Sequence, residues 1–234
     1  MRKVGLRLAY CCAALLLLCL AGGSARADII YLPGAAAPVG GVGRQPESIL
    51  SIQSPGGTSG AAGGVLWDGR KDVLTGDAKQ GEHSKTLSFA QAGVSNAGRL
   101  RIFMDTEDQD DDLTLDSLVL TAYGSSGRVL FQGSLVAPID FGDERDGQGH
   151  GDRVFALTAD QAAQLQAAYL SDPNLRLGLS ASTSDDTGSF TNFKIGQAPA
   201  AVPEPMTMLL LGTGLVGVAA RTRRRMKAKK EGKG

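Results

Sequence analysis

A stretch of acidic residues between two apolar segments has the composition of a calcium-binding loop. Ca²⁺ takes about six to eight oxygen ligands, which carboxylates on a flexible loop can supply. The EF-hand pattern nevertheless fails, because Leu113 stands where the turn glycine belongs and Val119 where the bidentate glutamate belongs. The candidate calcium ligands are therefore a looser set of carboxylates, namely Asp105, Glu107, Asp108, Asp110 and Asp112.

Two further acidic stretches occur at 140–152 and at 185–186. If the three stretches meet at one end of the fold, a calcium site is favoured. If they lie apart, they are ordinary solvated loops, which is what an isolated run of charged residues usually is. On this interpretation the protein needs no cofactor, and Ca²⁺ is the one ion that the residue types suggest.

Other kinds of catalytic or metal site have little support. The chain contains two histidines, His83 and His150, and neither has the companion ligands that a transition metal needs. No Gly-x-Ser-x-Gly motif is present. The segment Gly56-Gly57-Thr58-Ser59-Gly60 lacks the Gly-Lys-Ser/Thr sequence of a phosphate-binding loop. We therefore expect that the protein is not an enzyme.

A glycan-acting hydrolase is the enzymatic alternative. Two opposed carboxylates can cleave a glycosidic bond when they lie about 5–10 Å apart. Such a site would also need an aromatic floor, and aromatic residues make up 5% of the chain, with Trp67 the single tryptophan. A calcium-dependent adhesion or carbohydrate-binding module on the same scaffold is the other alternative.

The C-terminal tail combines three physical signals in a fixed order. Val202-Pro203-Glu204-Pro205 comes first, and its prolines fix φ and exclude a helix. An uncharged apolar run follows at 206–220; as a helix it is about 22 Å long, somewhat short of a bilayer core of about 30 Å. A basic block ends the tail and should stay cytoplasmic. Its stop-transfer arginines are Arg221, Arg223, Arg224 and Arg225.

At these residues the chain resembles the PEP-CTERM family of secreted bacterial proteins, whose tails carry a Pro-Glu-Pro signature, a Leu/Gly-rich transmembrane helix and an Arg-rich end. The resemblance covers about the last 35 residues. It implies processing at or near Pro203-Glu204-Pro205 by an exosortase, in a Gram-negative bacterium that makes exopolysaccharide and biofilm. The resemblance thus implies transit through the inner membrane, then the cell envelope, cell surface or extracellular matrix. A plain membrane anchor is the alternative.

The N-terminus has the features of an export signal. A positively charged start is followed by the apolar segment 8–20 and by Ala25-Arg26-Ala27, a small-x-small cleavage site. The sequence therefore predicts an N-terminal signal helix, handled by Sec and signal peptidase, and a mature chain that begins at Asp28. The three cysteines, Cys11, Cys12 and Cys19, are all removed with it, so packing alone must stabilise the mature protein.

These signals divide the chain into three parts. Residues 1–27 are the signal peptide, 28–198 an acidic passenger domain with flexible Gly-rich loops, and 199–234 the sorting signal. The formal charge of the whole chain is zero, but residues 28–202 hold 12 basic and 22 acidic residues. An acidic body argues against nucleic acid, which binds basic patches. Polysaccharide or another surface protein is the expected partner.

Alternating apolar residues predict that the passenger is mainly β-structure. A change of parity within 113–123 predicts a β-bulge near Asp116-Ser117. Thr158 and Gln161 form a capping box before a helix at 159–170, and the glycine-rich segment 55–64 is expected to be a loop. Together these features predict an antiparallel, jelly-roll-like β-sandwich with one short helix. The predicted strands are 29–32, 48–53, 86–90, 99–104, 113–123, 128–132, 153–157, 175–182 and 190–195.

Overall fold

Strands dominate the part of the chain that the computed structural model describes, namely residues 27–35, 45–55, 59–106, 113–141, 153–185 and 190–198. The chain divides into two units, Met1–Ala198 and Pro199–Gly234, and all of the described residues belong to the first. The predicted signal peptide at 1–27, apart from Ala27, and the predicted transmembrane helix at 206–220 lie outside the described residues.

The described elements are twelve strands, one α-helix and two short 3₁₀ helices, Gly81–His83 and Ala97–Arg99. The helix α1 spans Ala159–Ser171. The strands are β1 (Ala27–Tyr31), β2 (Glu47–Gln53), β3 (Gly60–Trp67), β4 (Asp72–Gly76), β5 (Leu87–Ser88), β6 (Leu100–Thr106), β7 (Thr114–Tyr123), β8 (Val129–Leu135), β9 (Ile139–Asp140), β10 (Arg153–Leu157), β11 (Arg176–Ser184) and β12 (Phe190–Gln197).

All twelve strands belong to one sheet. Its main path runs β2-β12-β6-β10-β1-β8-β7-β11-β3-β4, while β5 pairs with β11 and β9 with β7. The described pairings are antiparallel except for that of β1 with β8. The prediction of a mainly β fold with one helix is confirmed. A sandwich would consist of two separate sheets. The structure has one curled, open sheet instead, because β1 hydrogen-bonds to both β10 and β8.

The two ends of the sheet path curl towards each other. Ile52 of β2 forms an isolated antiparallel bridge with Ala78, just beyond β4. The Lys79 backbone N–H donates to the Ser51 carbonyl at 2.8 Å. The carbonyl edge of β2 is therefore occupied, which removes part of the exposed edge that an open sheet otherwise presents to other chains.

The expectation of a loop at 55–64 is wrong for its second half, because Gly60–Trp67 is strand β3. Glycine usually weakens a strand, since it has more backbone freedom to lose and no side chain to pack. In β3, however, two of the glycines lie where a side chain would not fit. A Cβ on Gly63 would lie 2.7 Å from the Ala78 nitrogen, and one on Gly64 would lie 2.7 Å from the Ser180 Cβ.

The local predictions for β7 and the helix are confirmed. Ser182 pairs with Ser117 and Thr183 with Leu115, so Asp116 is the extra residue of a β-bulge. In α1, the Gln161 Oε1 accepts the Thr158 backbone N–H at 3.2 Å, which is one half of the capping box.

The core lies inside the curl and is covered on one side by α1. Leu165 of the helix is fully buried, and Tyr169, one turn later, stacks on Phe89 with ring centroids 4.3 Å apart. Ile52, Phe155 and Phe193 are among the fully buried side chains that complete the core. This core must supply the stability that disulfides would otherwise provide. We therefore expect the stability of the protein to be sensitive to volume added at the close contact between the two ends of the sheet.

Gly63→Ala tests this contact. The added methyl group would meet backbone atoms of Ala78 and Thr75, so we expect the free energy of unfolding to fall by about 1–3 kcal/mol, as overpacking does. Ala62→Ser is the matched control, because it adds one heavy atom to the neighbouring, exposed residue and should change stability by less than about 0.5 kcal/mol. Urea denaturation measures both variants. Equal stability of the two would contradict the close approach.

Candidate functional site

Described residues that adjoin the three acidic stretches lie together at the start of β7. Thr114 pairs with Asp140 of β9 and with Ser184 of β11. Its hydroxyl also donates to the Asp185 carboxylate at 3.4 Å. The remaining residues of the stretches, at 107–112, 142–152 and 186, lie outside the described residues. The described residues that flank them place all three stretches at the same end of the sheet.

Two carboxylates at this end have partners within the fold. The Asp116 Oδ1 accepts the Ser184 hydroxyl at 3.1 Å, which ties the bulge of β7 to the end of β11. The Asp105 carboxylate lies 3.3 Å from the Lys194 ammonium, and both side chains are about one-third exposed. An ion pair this exposed contributes roughly 0–1 kcal/mol, but it does balance the negative charge of Asp105.

Of the predicted calcium ligands, only Asp105 is among the described residues, and it lies within β6 instead of in a loop. The other four, Glu107, Asp108, Asp110 and Asp112, fall outside them. In the described ranges, no group of three or more His, Cys, Asp or Glu side chains is arranged to hold a metal ion. Of the two histidines, His83 is exposed in a short 3₁₀ turn and His150 lies outside the described residues.

The best-connected polar cluster is one that the sequence did not indicate. The Arg176 guanidinium lies over the Trp67 ring, 4.6 Å from its centroid. It donates to the Thr86 hydroxyl at 2.6 Å and to the Thr86 carbonyl at 2.7 Å. The Thr86 hydroxyl in turn donates to the Asp72 carboxylate. Residues from β3, β4 and β11 are thereby held together, so the cluster fixes the sheet where β5 joins β11.

The described tyrosine and tryptophan rings all pack within the fold. Tyr31 contacts the rings of Phe141 and Phe155, with centroids 5.4 and 5.5 Å away. Tyr123 is 7% exposed, and burial raises the pKa of its hydroxyl. Tyr169 stacks on Phe89, and Trp67 carries Arg176 on one face. Tyr31, Tyr169 and Trp67 thus each have a ring or guanidinium partner within the fold.

The predicted cleavage and sorting residues are almost all outside the described part of the chain. Ala25 lies outside it, while Ala27 is the first residue of β1. Val202, Pro203, Glu204 and Pro205 lie outside it, as do the four arginines at 221 and 223–225. Within the described ranges, none of the helices has the length and apolar character needed to cross a membrane.

Comparison with known proteins identifies the tail. Residues 201–225 match the family model of the PEP-CTERM protein-sorting motif, which includes Val202 to Pro205, the apolar run and the arginines at 221 and 223–225. No curated protein and no solved structure matches the chain. The motif implies export to the bacterial cell envelope or surface, with an exosortase as the processing partner. The chain is therefore a PEP-CTERM domain-containing protein whose sorting motif occupies residues 201–225.

Proposed function

We propose that residues 28–198 form a non-enzymatic passenger that the C-terminal motif delivers to the cell surface or extracellular matrix of a Gram-negative bacterium. The match of residues 201–225 to the sorting motif is the observation that carries this proposal. The passenger is then a component of an exopolysaccharide-rich biofilm matrix, and its partners are matrix polysaccharides or other surface proteins.

The chemistry of the tail accounts for its role in sorting. Pro203 and Pro205 have no backbone N–H and disfavour helix in the residues before them. The sequence therefore predicts an extended backbone at Glu204 between them, which is the form that a processing enzyme can bind. The apolar run at 206–220 holds this segment against the membrane, and the arginines that follow stop its translocation. Sec and signal peptidase act at the other end, where cleavage after Ala27 removes the leader.

The composition of the passenger suits a matrix component. Residues 28–202 carry an excess of ten acidic residues, and such a charge keeps a protein soluble. The mature chain has no cysteine once the leader is removed, so its fold does not depend on the redox state outside the cell. These properties support an extracellular role and assign no reaction to the domain.

Changing both prolines tests the proposal. In Pro203→Ala/Pro205→Ala the helix of the tail can extend through the motif, so we expect the exosortase to leave the chain uncut. The intact mass of protein from the native host should then run to Gly234, found with the inner membrane. The unaltered protein should lack residues 1–27 and everything after about Pro205.

Pro199→Ala is the matched control, because Pro199 lies just before the residues that match the motif. It should be processed like the unaltered protein. An unaltered protein whose mass ends at Gly234 would show an ordinary membrane anchor and would refute the sorting proposal. Normal processing of the double variant would refute the role given to the prolines.

A calcium-dependent adhesion module is a second candidate, favoured by the convergence of the three acidic stretches around Thr114. Carboxylates that meet at one end of a sheet can supply the many oxygen ligands that Ca²⁺ needs. The ion would bind the folded state and not the unfolded state, and it would therefore raise the melting temperature.

At 1 mM Ca²⁺ we expect the melting temperature to rise by about 1–4 °C, since extracellular sites have Kd values of about 0.1–1 mM. Asp108→Asn/Asp110→Asn should abolish the rise, and Glu82→Gln, an exposed acid in the 3₁₀ turn, should retain it. Differential scanning calorimetry with a chelator control makes the measurement. A curve unchanged by calcium would exclude this candidate.

A further inference from the structure

Strand β1 is short, yet it occupies the centre of the sheet. It has five residues. Ile29 pairs with Leu157 of β10 on one side and with Leu135 of β8 on the other. The Leu32 backbone N–H adds a bond to the Val154 carbonyl at 2.8 Å. Without β1, the edges of β8 and β10 would both be unpaired, and the sheet would be open along its middle.

The slot that β1 fills is shaped for this strand. Ile29 is 1% exposed, and two residues on, Tyr31 lies against Phe141 and Phe155. Ile30, between them, is 40% exposed and so faces outwards. An occupant of the slot therefore needs large apolar side chains at alternate positions together with free backbone donors and acceptors on both edges.

The connection between β1 and the rest of the fold is longer than the fold requires. β10, β6 and β12 separate β1 from β2 in the sheet, a distance of about four strand spacings or roughly 19 Å. Beyond Leu32, which is bonded to β10, the fourteen residues 33–46 lead to β2 and can span up to about 46–50 Å. This segment holds four glycines and three prolines, and its largest apolar residues are two valines. The tether therefore has the length to reach a neighbouring molecule.

We propose that β1 is exchanged between copies of this chain: β1 of one molecule fills the slot between β8 and β10 of another. The exchanged strand makes the same contacts as the intramolecular one, which is why domain swapping is a low-cost route to assembly. The partner is thus a second copy of the chain, recognised by the alternate apolar residues Ile29 and Tyr31. Exchange goes beyond the proposed sorting role and does not require the exosortase.

The protein concentration determines whether β1 fills the slot of its own molecule or that of another copy. A tether of this length gives an effective concentration in the millimolar range, so β1 should fill its own slot in dilute solution. Exchange becomes comparable when the protein itself reaches that concentration, as it does when many copies are held at one surface. The exchanged fraction should fall in proportion to protein concentration below this range.

The test uses cysteines at two positions that face each other across β1 and β10. Ile30 pairs with Ala156, and side chains opposite each other in an antiparallel pair have Cβ atoms about 4.5–5.5 Å apart. Full-length Ile30→Cys and Ala156→Cys variants would be co-expressed in the native host and oxidised on the cells. A disulfide that joins position 30 to position 156 must then connect two chains, and mass spectrometry of the linked peptides identifies it.

We expect this disulfide in about a tenth or more of the chains at high expression, and about tenfold less when expression is lowered tenfold, because the tether competes at a millimolar effective concentration. Val129→Cys co-expressed with Ala156→Cys is the matched control for random collision, since Val129 is 50% exposed and pairs with Tyr123 of β7 instead of β10. Each variant expressed alone controls for the leader cysteines.

Refolded and oxidised in dilute solution, the variant that carries both changes in one chain should close an intramolecular disulfide and stay monomeric. If it does so while the co-expressed pair gives no more linkage than the control pair, β1 stays in its own molecule and the proposal is wrong. Failure of the double variant to close would show that β1 does not lie beside β10, which also overturns it. Asp28→Cys with Ser134→Cys, paired across β1 and β8, repeats the test should Ala156→Cys fold poorly.

Discussion

The curled sheet depends on a backbone contact that only glycine permits. Gly63 and Gly64 of β3 lie against the backbone beyond β4 and against Ser180 of β11, at distances that leave no room for a Cβ. This close approach lets β2 cover the core from the opposite end of the sheet path. As a result, Ile49, Leu50 and Ile52 are fully buried. The Lys79 and Lys85 N–H groups also occupy the carbonyl edge of β2, so the curl both buries apolar surface and protects an edge.

The parts of the fold that depend on neighbours in sequence could be predicted. Each of these features depends on only a few neighbouring residues: the alternation along a strand, the parity change at Asp116 and the capping box at Thr158. Strand β3 could not be predicted, because its glycines favour a loop locally and are needed only once β2 and β11 have packed around them. The parallel pairing of β1 with β8 joins residues more than one hundred positions apart, and nothing near Asp28 indicates it.

The candidate sites show the same difference between features that depend on neighbours in sequence and features that depend on the fold. The sorting motif was predictable because its prolines, apolar run and arginines act in linear order, and the matched family model is itself a contiguous segment. The cluster around Arg176 was missed, because Arg176 comes 90 positions after Thr86 in the sequence, whereas Trp67, Asp72 and Thr86 lie close together in it. Only the folded sheet brings them within hydrogen-bonding and ring-stacking distance. A site formed by one contiguous segment can therefore be predicted from the sequence. A site that forms only when distant segments meet in the fold cannot.

The large sequence separation between β1 and its partner strands affects how an exported chain folds. A chain that crosses the membrane with its amino end first delivers β1 before any of its partners, yet Ile29 pairs with Leu157 and Leu135. The strand must therefore wait until most of the passenger has emerged, and contacts of such long range form slowly. During that interval β8 and β10 would present unpaired edges around an apolar slot. The order of synthesis thus favours a late-docking first strand, and the same delay gives the strand of a neighbouring copy the opportunity to enter the slot first.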